Sequence, residues 1–249
     1  TKNRMLATVL YEDGDHRWIM FTRDPGKPDA INNTNHYLVQ SGTEAILLDP
    51  GSIEMFAPML SSVLKYVPAD NITRMFASRQ SPDISSSLGL WDQALPNASL
   101  FAPSLWEGFL KHFGMTNIHY KPIPDEGMTM TLGHTQLQFI PAHYLPSPAN
   151  FHVWDAKAGI LMSGDVGTAP EEPGSSHWVD SLDRHIPKMK KYHQRWMPSD
   201  AARQDWIRRA KAMDAKILAP QHGRLFKGPQ VNEFLNWFEQ LPVGVAVHS

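Results

Sequence analysis

The chain has 249 residues, with 23 Lys and Arg against 25 Asp and Glu, for a formal charge of −2. This length is enough for one large α/β domain, and the charge predicts neither a nucleic-acid partner nor a membrane surface. The sequence contains no Cys, which excludes disulfides, thiolate-bound zinc, iron–sulfur clusters and thiol nucleophiles. Because no run approaches the roughly 20 apolar residues of a membrane span, we expect a cytoplasmic protein.

The first half of the sequence predicts strands followed by helices. Two strands, Met5–Tyr11 and Arg17–Thr22, flank Asp13-Gly14-Asp15, which is typical of a hairpin turn. A second hairpin is predicted where Ser41-Gly42-Thr43 separates two short apolar runs. The elements expected next are a helix over 53–67 from its apolar spacing, a strand at Ile72–Ala77, a helix near Asp83 or Ser85, and a helix over about 103–113.

The second half repeats this order. The predicted strands are Gln136–Ile140, Phe151–Trp154, Ile160–Ser163 and Lys216–Leu218. An irregular segment is expected over Gly167–Pro187, and Ser199 is a candidate N-cap for a helix that ends near Met213. Apolar spacing over 231–241 predicts a closing helix. Together the two halves predict a mixed α/β fold.

Several predicted strands end in an acidic residue or a histidine. These residues are Asp49, Asp83, His143, Asp165 and His222. An apolar strand that ends in a single Asp or His is one way in which α/β proteins place a ligand at a sheet edge. A capping Asp or a hydrogen-bonded His explains any one of them, but the fivefold repetition favours a site.

This series of strand-end residues resembles the metallo-β-lactamase superfamily, and within it the diiron domain of flavodiiron proteins and the stand-alone oxygen-binding diiron proteins. The resemblance includes Asn35-His36-Tyr37-Leu38-Val39, Leu48-Asp49-Pro50-Gly51, Met197-Pro198-Ser199 and Ala219-Pro220-Gln221-His222-Gly223. It implies an α/β, four-layer αββα sandwich that forms a single domain over residues 1–249, without a flavodoxin domain.

The resemblance also implies metal ligands at Asp83, His143 and His222, with Asp165 bridging two ions. The family loop His-x-Glu/Asp-x-Asp, often followed by His, is altered here. Its positions are occupied by Arg79, Ser81 and Ile84. Arg stays protonated and has no lone pair for a cation, and a neutral Ser hydroxyl is a weak ligand.

Two states of the site follow from these replacements. In one, a single ion of iron, zinc or manganese binds Asp83, Asp165 and His222. In the other, the guanidinium of Arg79 pairs with Asp83 or Asp165 and the site is metal-free. The sequence leaves both states open.

The resembled proteins reduce oxygen or nitric oxide, or bind oxygen, with electrons from a flavin. We expect no flavin in this chain, so redox work would need an external redox partner, and a homodimer is one arrangement found among relatives. The altered loop argues against diiron turnover, and enzyme activity stays undecided. One hypothesis is a gas-binding, redox or sensory protein. The alternative is a metal-free pseudoenzyme or ligand-binding sensor domain.

A metal-dependent hydrolase is a further alternative, although the loop lacks the His-x-His-x-Asp-His pattern of such enzymes. The segment around the predicted irregular region also carries several rings, which could line a pocket or simply pack. These residues are Trp154, His177, Trp178, His185 and Tyr192.

Overall fold

A computed structural model describes residues 5–23, 34–117, 119–170 and 176–245. The strands are β1 (Met5–Asp13), β2 (His16–Arg23), β3 (His36–Ser41), β4 (Glu44–Leu48), β5 (Ile72–Phe76), β6 (Ser99–Pro103), β7 (His119–Ile123), β8 (Met128–Leu132), β9 (Thr135–Pro141), β10 (Phe151–Asp155), β11 (Ile160–Gly164), β12 (Ile217–Pro220) and β13 (Phe226–Lys227). The α-helices are α1 (Phe56–Val63), α2 (Pro82–Ser85), α3 (Leu88–Ala94), α4 (Glu107–Leu110), α5 (Leu182–Trp196), α6 (Asp200–Met213) and α7 (Pro229–Gln240).

The chain forms two compact units. One contains β1, β2 and Thr34–Leu137, and the other contains the chain from Gln138 onward. A seven-stranded sheet takes β1 to β7 in sequence order, and a six-stranded sheet has the order β13-β12-β11-β10-β9-β8. The prediction of a mixed α/β fold is therefore confirmed.

The first unit opens with the two predicted hairpins, which pair Asp13 with His16 and Ser41 with Glu44. From β4 onward the sheet is parallel through β5, β6 and β7. Four consecutive residues of β4, Ala45–Leu48, are buried, as expected for a central strand covered on both faces. The carboxyl ends of β4 and β5 consequently lie side by side, and each leads into a loop with polar residues.

The second sheet brings three strand ends to one edge. Strand β10 is antiparallel to both β9 and β11, and β11 is parallel to β12. Strands β9, β11 and β12 therefore run in the same direction. His143, Asp165 and His222 follow these strands within two residues of their last members.

The core of the second unit lies beneath α5, α6 and α7. Its large members include Trp206, Phe226, Phe234 and Phe238, all with at most 1% of their surface exposed. The predicted N-cap is confirmed, because the Ser199 side chain accepts a hydrogen bond from the amide of Ala202 at 3.1 Å. Within the described residues, no helix has both the length and the apolar character needed to cross a bilayer.

Some sequence-based boundaries were wrong. Helix α5 begins at Leu182, so the predicted irregular segment does not extend to Pro187, which lies inside the helix; residues 171–175 of that segment lie outside the described residues. The helix expected over 103–113 is a series of short turns around α4. Strands β6, β7 and β8 were not predicted, and β7 is an exposed edge strand that carries Pro122.

Candidate functional site

A turn over 49–51 holds the loop that follows β5, which we call the first loop (Ser78–Ser87). Asp49 accepts hydrogen bonds from both the amide and the hydroxyl of Ser78, at 2.8 and 3.0 Å. Gly51 donates its amide to the Ile84 carbonyl at 2.9 Å, and its own carbonyl accepts from the Ser87 hydroxyl at 2.6 Å. The path of the first loop is therefore fixed by backbone groups together with the side chains of Asp49, Ser78 and Ser87, none of which is a ligand position of this loop.

Two replaced ligand positions of the first loop contact the carboxylate that remains there. The guanidinium Nη2 of Arg79 lies 3.9 Å from Oδ2 of Asp83, four residues further on. The hydroxyl of Ser81 donates a hydrogen bond to Oδ1 of the same carboxylate. Arg79 is 6% exposed, so its charge needs nearby carboxylates to offset the loss of hydration. The predicted contact of Arg79 with Asp83 is present, and its predicted pairing with Asp165 stays a prediction.

Asp49 is the second acid in the environment of Arg79. Burial raises the pKa of Asp49 from 3.8 to about 7, while the hydrogen bonds from Ser78 and the positive charge of Arg79 act to lower it. The negative charge of Asp83 acts in the same direction as burial. Arg79 therefore helps to keep a fully buried carboxyl group near the midpoint of its titration at neutral pH.

The third altered position, Ile84, has become part of the core. Its side chain has no exposed surface, and its carbonyl accepts the hydrogen bond from Gly51. Neither Ile84 nor Arg79 offers an atom that ligates a cation. Of the four positions that the resemblance assigns to this loop, only Asp83 keeps a strong ligand.

In the second unit, His143 lies half-buried after β9. Its Nδ1 is 3.4 Å from the amide of Asn150, which donates to it, and its ring packs edge-on against Phe151 at 5.2 Å. An imidazole whose Nδ1 accepts a hydrogen bond carries its proton on Nε2 when neutral. Ligation through Nε2 would require this tautomer to be given up.

Asp165 lies in a tight turn after β11, where it is 1% exposed. Its carbonyl accepts from the amide of Thr168 at 3.1 Å, and Gly164 just before it has φ +51°. A Cβ on Gly164 would approach Nε2 of His152 to 3.0 Å, so glycine meets both a conformational and a steric requirement there.

A buried histidine that the sequence analysis did not single out anchors the same turn. His193 on α5 accepts a hydrogen bond at Nε2 from the amide of Gly167, at 2.9 Å, and its Nδ1 lies 2.9 Å from the Met189 carbonyl and donates to it. Burial lowers the pKa of His193 to about 4, so the ring is neutral at physiological pH. Its position relative to the buried residues of α5 indicates only a core residue, and nothing in the sequence predicts the hydrogen bond with Gly167.

His222 follows β12 and is half-buried. Its carbonyl accepts from the Ala169 amide at 3.4 Å, so the backbones that carry Asp165 and His222 are joined just beyond the two strand ends. Within each unit taken alone, no three His, Asp or Glu side chains among the described residues form a cluster suited to a metal ion. In the first loop, both Arg79 and Ser81 contact the carboxylate of Asp83.

The aromatic residues proposed as pocket liners divide between two environments. Trp154 belongs to the core of the second unit, and His185 packs edge-on against Phe226 at 5.7 Å. Trp178 is half-buried, and the amine of Lys227 lies 4.6 Å from its ring centre. Trp154 and His185 thus serve packing, and His177 is half-buried next to Trp178.

Residues 32–223 match the model of a family described as ODP family beta lactamase. The chain belongs to this ODP family. The structure of a peroxy diiron species of the chemotaxis sensor ODP is 32% identical, covers 96% of both chains and has a TM-score of 0.83. The apo state of the chemotaxis sensor ODP from T. denticola is 31% identical over 98% of this chain and 97% of that chain, with a TM-score of 0.86.

The fold extends to more distant proteins. The flavodiiron protein from Giardia intestinalis has a TM-score of 0.81 and 18% identity, and the match covers 97% of this chain but only 59% of that one. No curated protein sequence gives a significant match. The resemblance to the metallo-β-lactamase superfamily and its fold is therefore confirmed, and the ODP family members with solved structures match over nearly their whole length.

Proposed function

We propose that this chain is a sensory member of the ODP family in which the guanidinium of Arg79 takes the place of one iron ion, so that the protein holds at most one. The observation that carries the proposal is the contact between Arg79 and Asp83, at 3.9 Å. Support for a sensory role comes from the two structures of the chemotaxis sensor ODP, which are 31% and 32% identical to this chain over nearly its whole length.

The residues present do not fit a two-iron centre. Arg79 and Ser81 occupy two ligand positions and both contact the carboxylate of Asp83, while Ile84 is buried in the core. The hydrogen bond from Asn150 further favours the tautomer of His143 that carries its proton on Nε2. Asp83, Asp165 and His222 each keep a side chain of a type that ligates iron, manganese or zinc, and an ion that uses Asp83 competes with Arg79 and Ser81 for its carboxylate.

Metal analysis after anaerobic reconstitution with ferrous iron tests this proposal. We expect no more than one iron per chain after removal of loosely bound metal, and an ODP protein with the unaltered loop serves as the control that should take up two. Two tightly bound irons per chain would overturn the proposal. Sustained oxygen consumption by the iron-loaded protein with a chemical reductant would contradict the sensory role.

A further inference from the structure

The exposed face of α5 has a charge opposite to that of the chain as a whole. The helix contains five basic residues and one acidic residue, Asp183, whereas the formal charge of the protein is −2. Its apolar side is occupied, because Leu182, Met189 and His193 are buried in the second unit. The basic side chains therefore project from a helix that is already firmly packed.

Four of these basic residues form one row, which we call the basic stripe: Arg184, Lys188, Lys191 and Arg195. All four are exposed. Their spacing of four, three and four residues keeps them within about 60° of one another around a helix with 3.6 residues per turn. The fifth, Lys190, is exposed on another face of the same helix.

Two exposed apolar side chains lie near the carboxyl-terminal end of this helix. Trp196 is 58% exposed, and its ring stacks on that of Tyr192 with 5.6 Å between the ring centres. The chain after α7 returns to this end of α5, where Val245 donates its amide to the Gln194 carbonyl and is itself 45% exposed. An exposed Trp beside Arg and Lys is the kind of anchor found at protein interfaces.

The opposite side of α5 contacts the turn that follows Asp165. His193 accepts the hydrogen bond from the Gly167 amide at 2.9 Å. The stripe and this buried hydrogen bond therefore lie on the two sides of one helix, about 10 Å across. A partner bound to the stripe would rest on the same helix that holds the Asp165 turn.

We propose that the basic stripe, with Trp196 and Val245 at its end, is the docking surface for an acidic partner protein, which receives the output of the sensor. The partner would present carboxylates to the stripe and an apolar side chain to Trp196. The ion pair between Arg184 and Asp180, at 3.1 Å on the surface, contributes little to stability, so a carboxylate of the partner can exchange with Asp180. The identification of the surface rests on charge and exposure, and its role as an output rests on the proposed sensory function.

A protein partner fits this surface better than a membrane or a nucleic acid. The apolar face of α5 is buried in the core, so the helix has no broad apolar face to insert into a bilayer. One face of the Trp196 ring is covered by Tyr192, which leaves a single face for stacking with a base. A row that spans about three turns of one helix matches a partner helix of similar length.

The probe for the test is a labelled helical peptide with four Glu residues at the same spacing and one Leu placed to reach Trp196. The spacing of the Glu residues is the same in both directions, so their row can meet the stripe in either orientation, and the Leu reaches Trp196 in one of them. Binding to the full chain would be measured by fluorescence anisotropy at low and high salt. We expect binding that weakens as salt rises and that falls by about tenfold or more in the Lys191→Glu/Arg195→Glu variant.

Lys190→Glu is the matched control, because it makes a charge reversal on the same helix but off the stripe. Retained binding in this variant, with loss in the double variant and in Trp196→Ala, supports the proposal when circular dichroism shows all variants folded. Equal loss in Lys190→Glu, or no binding by the parent chain, overturns it. Vesicles of phosphatidylserine and single-stranded DNA are tested in parallel, and tighter binding of either with the same variant dependence would assign the face to that ligand instead. Iron stoichiometry is measured on the same samples, so failure of the docking surface and failure of the proposed function are distinguishable.

Discussion

Arg79 and Asp83 form an ion pair within the first loop, with Nη2 and Oδ2 3.9 Å apart. The guanidinium brings a fixed positive charge to this carboxylate. The same charge acts to lower the pKa of the buried carboxyl group of Asp49.

Replacing Arg79→His together with Ser81→Glu should raise the iron content above that of the parent, toward two ions per chain, because it restores a nitrogen and a carboxylate ligand at the two positions. Iron per chain after anaerobic reconstitution is the measurement. Arg79→Lys is the control, since it keeps a cation but no ligand, and it should bind no more iron than the parent. If the double variant also binds no more than the parent, the assignment of the first loop is wrong.

Asp49→Asn should change how stability depends on pH. The pKa of Asp49 is 3.8 when unperturbed and about 7 in the folded chain, so the folded state binds this proton more tightly. Its contribution to stability is therefore greatest below about pH 4 and is lost as the pH rises toward 7. Urea unfolding at several pH values should show that the parent loses stability relative to Asp49→Asn across this window, by a few kcal/mol in order of magnitude. A constant difference between the two proteins would contradict the buried titration.

His193→Phe should destabilise the second unit at neutral pH by about 1–3 kcal/mol, because the ring is retained but the buried Gly167 amide loses its acceptor. The pKa of His193 is lowered from 6.5 to about 4, so the unfolded chain binds this proton first. The histidine's contribution is present above pH 6.5 and is lost as the pH falls toward 4. This acid-side slope should be absent in His193→Phe, and its persistence in urea titrations would assign it to another group.

Gly223→Ala should displace the neighbouring His222, and it should destabilise the protein by more than the backbone conformation of Gly223 alone would cause. Gly223 has φ +85°, and a Cβ there would lie 2.4 Å from the Ala169 carbonyl oxygen, so one of the two loops must move. Gly114→Ala is a matched control, because Gly114 has a left-handed backbone with φ +83° and no atom lies within 4 Å of the added carbon; it should cost about 1 kcal/mol. Thermal unfolding measures the stability of both variants, and an equal loss of stability in the two would show that the contact with Ala169 is relieved without cost.

The fold was predictable wherever periodicity was strong. The hairpins before Asp49 and the strands Phe151–Asp155 and Ile160–Gly164 follow from continuous apolar runs and turn signals. The short strand Met128–Leu132, with Met and Thr in alternation, gives too weak a pattern to be distinguished from a loop. The irregular segment was predicted to extend to Pro187, but tertiary packing of the buried side of α5 stabilises the helix from Leu182 through this proline.

The residue types at the site could be predicted from the sequence, but the contacts between their side chains could not. The sequence identified Arg79 and Ser81 as replacements and left open which acid they would meet; the structure pairs both with Asp83. Asp49 was noticed only as a strand-end acid, because its hydrogen bonds to Ser78 connect residues far apart in sequence. Metal ligation by Asp83, His143, Asp165 and His222 remains a prediction.

Two hydrogen bonds of Gly51 close the first loop without any ligand side chain. Its amide donates to the Ile84 carbonyl, and its carbonyl accepts from the Ser87 hydroxyl. The loop can therefore fold in a newly synthesised chain before any metal ion binds. These hydrogen bonds should persist when a chelator removes metal from the protein. Such a loop also tolerates exchange of its ligands during evolution, since a lost histidine removes a metal contact but leaves the turn that presented it intact.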